Sequence, residues 1–169
     1  KNNICIGLNS GKGINSYNQQ IGDNNVFIGS STGQSNYNGK YNIFLGNQSG
    51  KNNTDGSKNI FIGENAGLNT SLSHNIFIGT SSDDTKGIGY NSIIDLNTQI
   101  GGNKNLFIGH DVGLENTSGI GNIFFGDSAG QNNTTGSQNI YLGTNAGNLS
   151  NITTFKIAIG YNAGLSNKI

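Results

Sequence analysis

The stretch Asn59-Ile60-Phe61-Ile62-Gly63-Glu64-Asn65-Ala66-Gly67 decides the fold, because its pattern returns along the whole chain. Asn, three apolar residues, Gly, two variable residues, a small residue and Gly recur from Asn42 and Asn122, and from Asn105 with Val112 at the eighth place; the copy from Asn75 has Asp83 where the last Gly would stand. Diverged copies begin at Asn3, Asn25, Asn139 and Lys156. The usual interval is about 17 residues, and a fixed period of that size marks one structural unit stacked on itself. Two intervals are longer, from Asn3 to Asn25 and from Asn75 to Asn105, and they read as enlarged turns at 14–24 and 84–104.

Composition supports a thin repeat better than a round core. Only 32% of the 169 residues are hydrophobic and 11% are charged, with Gly at 28 and Asn slightly more frequent. That apolar fraction is below the ~45–50% of ordinary domains. Disorder would follow from it, except that disordered segments lack regularly placed apolar triplets. Net charge is zero, with no Lys/Arg stripe, so neither nucleic acid nor an anionic membrane is expected as a partner. No apolar run approaches the ~20 residues of a membrane span. With no starting Met, the chain is expected to be a fragment of a longer protein.

Numbered from the Asn, positions two to four are apolar in every unit, as in Ile43-Phe44-Leu45 and Ile140-Tyr141-Leu142. Triplets of branched and aromatic residues bounded by Asn and Gly read as short strands. The expected architecture is all-β, a parallel β-roll or β-solenoid of about nine coils forming one domain over 1–169. Side chains alternate along a strand. The expectation is that positions two and four fill each coil while position three points outward. Position three holds Phe27, Phe44, Phe61, Phe77, Phe107, Phe124 and Tyr141. So large an apolar column needs a cover. Either the coil is flattened so that both faces are internal, or identical chains pack these rings together; the second is favoured here, making them an interchain seam. Cys5, at the middle position of its triplet, reads as a packed thiol.

Gly at positions five and nine marks corners, and the small residue at position eight predicts a second short strand lying against the first. A third corner has Asn and Gly at its ends, as in 52–56. Asn at position one, stacked coil on coil, is expected to form an amide ladder that satisfies turn backbone. The absence of Pro suits a chain whose backbone donors are committed between coils.

These residues resemble the head repeats of YadA-type trimeric autotransporter adhesins, and still more the repeats of phage and giant-virus tail-fibre or surface-fibre proteins. The likeness is carried by 59–67 with Asn69-Thr70 and by 122–147, including Asn132-Asn133-Thr134-Thr135-Gly136. It implies a left-handed β-roll, three chains side by side, at a cell or virion surface. Adhesin heads carry a small residue at position three and a shorter unit, so Phe there implies a wider seam and different corners.

Signals for chemistry are sparse, and no catalytic, cofactor-binding or metal-ligating residue is assigned. His74 and His110 lack zinc-type spacing. Asp83-Asp84 could hold a cation but reads as a solvated turn. Glu64, Asp95, Glu115 and Asp127 are scattered, whereas a glycosidase needs a facing pair; a depolymerase is kept as a minor alternative. Thr54, Thr117 and Thr134 share a column that Tyr37 and Asn151 interrupt, which disfavours ice binding. The Asn-x-Ser/Thr sequons arise from the turn formula itself. The functional expectation is an adhesive fibre segment that attaches to a host-surface glycan or protein receptor. It would act as a homo-oligomer at an extracellular, cell-surface or virion surface, with no membrane insertion. Loops on rigid scaffolds carry specificity, so Tyr17, Asp84, Tyr90 and Asn91 in the long intervals are the candidate receptor contacts. The rival is a passive spacer with recognition elsewhere.

Overall fold

The computed structural model describes residues 2–13, 22–80, 104–149 and 152–165. Each repeat contributes one three-residue strand: β1 (Ile4–Ile6), β2 (Val26–Ile28), β3 (Ile43–Leu45), β4 (Ile60–Ile62), β5 (Ile76–Ile78), β6 (Leu106–Ile108), β7 (Ile123–Phe125), β8 (Ile140–Leu142) and β9 (Ile157–Ile159). They form one parallel sheet in chain order, with equivalent positions paired, for example Phe44 with Phe61 and Phe107 with Phe124. The chain is therefore an all-β parallel solenoid, and no helix occurs among the described residues. Pairing continues beyond the strands. The N–H groups of Gly33, Ser35 and Tyr37 donate to the carbonyls of Ser49, Lys51 and Thr54 one coil away. Pro at these positions would remove a rung, which accounts for its absence.

The aromatic column lies inside the coil of its own chain, opposite to the expected seam. Phe27, Phe44, Phe61, Phe77, Phe107, Phe124 and Tyr141 are all 0% exposed in the single chain. Successive rings stack with centroids 4.7 to 5.0 Å apart. Positions two and four face outward instead. The reason is parity: position one shares a strand face with position three, and the position-one Asn is the buried polar residue of every inner coil. Only one side chain per strand then enters the lumen, and a ring fills it better than one branched aliphatic would. Full burial of each ring contributes about 2–3 kcal/mol before any stacking gain.

The glycine at position nine is what admits the ring. At Gly50, φ is +57° and an added Cβ would lie 2.4 Å from the Phe44 ring of the same coil. The glycine at position five has a different duty, since a Cβ on Gly46 would meet the Gly63 carbonyl of the next coil at 2.5 Å. Between them the expected second strand is absent among the described residues, where Ala66 makes only a single-residue bridge. Positions six to nine form a turn whose seventh residue also has positive φ, as at Gln48 (55°) and Ser128 (55°).

The expected amide ladder is present and continuous. Oδ1 of Asn42 accepts from the Asn59 N–H at 2.9 Å, while its Nδ2 donates to the Gly56 carbonyl at 2.8 Å. The same link joins Asn75 to Asn105 at 3.2 Å, so the register persists across the longest interval. It ends where Lys156 replaces Asn: the Lys156 N–H donates to Asn139 Oδ1 at 2.9 Å, and its Nζ turns to the Gly164 carbonyl at 2.8 Å. Cys5, at the other end of the lumen, is exposed rather than packed, and partial burial pushes its thiol pKa up.

A second, shorter ladder is interrupted. Asn53 Nδ2 donates to Asn36 Oδ1 at 2.9 Å, but Thr70 occupies the next place in that column and the buried Asn53 Oδ1 has no partner. Replacing Thr70 with Asn should supply that donor and raise unfolding free energy by about 1 kcal/mol in a urea titration. An unchanged or lower value would show that the column lacks no donor there. Gly50→Ala should cost about 2–4 kcal/mol through positive φ and overpacking. Combined with Phe44→Leu, the loss should be less than additive, because shrinking the ring relieves the clash.

Candidate functional site: an apolar sheet face with polar borders

The first and third residues of every strand point away from the lumen, and all are Ile, Val, Leu or Phe. Two aliphatic rows therefore run the length of the sheet, in strict register from β1 to β9. Interior residues shield one another along the rows, yet Ile28, Ile43 and Ile123 are each 39% exposed and Phe125 is 55% exposed. At the ends exposure rises, to 58% at Ile6 and 67% at Ile157, because no neighbouring strand covers one side.

Two columns border this face. Two residues before the first row stand Tyr41, Lys58, His74, Lys104 and Gln138, all exposed and all with positive φ. Two residues after the second row stand Asn47, Glu64, Thr80, His110, Asp127 and Thr144, all exposed. Side chains within the second column bond along it. Asn47 Nδ2 donates to Glu64 Oε1 at 3.0 Å, and His110 Nδ1 lies 3.3 Å from Asp127 Oδ1. His110 also lies 3.6 Å from Oδ2 of the largely buried Asp111. Among the described residues no group of three or more His, Cys, Asp or Glu side chains could hold a metal.

The other candidates are dispersed. Glu64 and Asp127 share a column but stand three coil steps apart, about 14 Å at sheet spacing, beyond the ~5–9.5 Å of a glycosidase pair. The candidate contacts Tyr17, Asp84, Tyr90 and Asn91 lie outside the described residues, as do Asp83 and Asp95. The proposed seam from Phe27 to Tyr141 is corrected: these rings are core, fully covered by their own coils, and cannot meet another chain. The exposed aliphatic rows take their place as the surface needing an explanation. Their signal was present in the sequence as two positions apolar in every unit, but the assumed parity assigned them to the interior.

Comparisons with family models, with curated proteins and with solved structures returned no match.

His110→Ala should leave the thermal midpoint within about 1–2 °C, because exposed ion pairs contribute little. A drop of several degrees would assign the His110, Asp111 and Asp127 group a structural role.

Proposed function

We propose that this chain is a structural and adhesive segment of an extracellular or virion-surface fibre that takes part in attachment to host cells. It works as a homo-oligomer of parallel solenoids, three in number as the fibre-repeat resemblance implies. The carrying observation is the pair of uncovered aliphatic rows on a rod whose own core is already complete. A monomer has no use for such a face, whereas a fibre gains thickness and stiffness by burying it. The unbroken Asn ladder and in-register sheet supply rigidity along the axis.

In this reading recognition belongs to the two intervals that break the period, 14–24 and 84–104, with a glycan or protein receptor as partner. The spacer reading is favoured by a different observation, the backbone hydrogen-bond pattern that repeats from coil to coil. The two are separated by replacing residues 84–104 with a copy of 51–58, which restores the ordinary repeat length. The flanking strands β5 and β6 already pair directly, so the rod should survive the exchange. Loss of attachment by the parent fibre, with solution mass unchanged, is the expected result. Attachment that persists would make the segment a spacer.

A further inference from the structure

We propose that the outward sheet face is covered by a second copy of this chain, lying parallel to the first and in coil register with it. The inference rests on the oligomeric reading above, which already buries this face, and adds to it the coil register and the charged borders that set the direction.

Extent comes first. Nine strands at sheet spacing span roughly 40 Å, and two side-chain rows across them offer on the order of 400–500 Å² per copy. Two such faces together reach about 1,000 Å², the lower bound for a specific interface. Pitch selects the occupant. The rows repeat once per coil, about 4.8 Å, while a helix repeats at 5.4 Å and loses step within a few turns. Another solenoid of the same pitch keeps step over all nine strands, with side chains interdigitating as in sheet-on-sheet packing. A lipid surface fits less well, because the borders carry both signs of charge rather than a basic rim.

Those borders set the direction. The column before the face carries Lys58, His74 and Lys104 and no carboxylate; the column after it carries Glu64, His110 and Asp127 and no Lys or Arg. Rotation about an axis parallel to the rod, twofold or threefold, places the basic border of one copy beside the acidic border of the next at equal height. Lys58 and Glu64 flank the same strand, β4, so each faces the other across the junction, while Lys104 meets the His110 imidazole at β6 and Asp127 meets Gly121 at β7. Fully overlapped antiparallel copies would instead set Lys58 against Lys104 and His74 against itself. They would also bring Glu64 to His110, which already pairs with Asp127. The apolar rows supply the attraction, and the charges choose among the ways of burying them.

The test uses the full chain. Sedimentation equilibrium should give a multiple of the 17.7 kDa subunit. Phe125→Lys and Ile123→Lys, both at exposed sites, should weaken association at least a hundredfold while circular dichroism stays unchanged. Lys58→Cys and Glu64→Cys are made separately with Cys5→Ser. Mixed and treated with a bismaleimide spanning the ~10 Å between packed sheets, they should join chiefly to one another. An oligomer of unchanged mass in both Lys variants would overturn the face while leaving the side-by-side reading in place. Crosslinks only between like variants would overturn the direction. A wild-type chain that stays single at millimolar concentration would overturn this inference and the oligomeric reading together. Should a Lys variant fail to fold, the crosslinking pair decides alone, since neither of its sites lies in the rows.

Discussion

The lumen of this solenoid is one aromatic ring thick, and most of the repeat formula follows from that dimension. A ring at position three fills the coil, so position nine is Gly beside every ring whose ninth position is among the described residues, because a Cβ there would sit in the ring. Position eight holds a small or branched residue, Thr32, Ser49, Ala66, Val112, Ala129 or Ala146, all buried beside the rings. Substituting one member of the set changes what the others can be. That interdependence explains why the formula persists in the inner coils, the unit from Asn75 with Asp83 at position nine excepted, while the borders vary freely.

Polar groups, rather than apolar volume, complete the interior. The position-one Asn is fully buried in nearly every inner coil, and its amide has both ends engaged, Oδ1 with the next coil's N–H and Nδ2 with a corner carbonyl. Burying an amide without partners costs free energy, but an amide whose partners recur at every step does not carry that penalty. A chain with 32% hydrophobic residues can therefore close a dry core, provided the core is a filament. The ladder's end at Lys156 shows the same logic in reverse. Lysine has no side-chain acceptor to offer a following coil, and its amine satisfies a carbonyl of its own coil instead.

The outward rows are the one feature that this economy does not require. Core packing is complete without them, since the rings and small residues make a closed cluster. Strand propensity alone would accept Thr at such sites. Apolar residues at every one of these positions, on a face that the chain does not cover, are what the proposed association would bury.

Period, strand positions, parallel pairing and the amide ladder were all readable from residues such as Asn59 to Gly67, because each depends only on local spacing and chemistry. The inward or outward sense of the strand was not. A triplet of three apolar residues has no polar member to mark its wet side, so Ile60-Phe61-Ile62 reads equally well either way up. The decisive partners are Asn59, one residue outside the triplet, and Gly67, six residues past Phe61 and brought against its ring only when the coil closes. Sequence therefore determined that this chain stacks into a parallel rod. Closure of the coil in three dimensions decided which apolar residues became its core and which stayed on its surface.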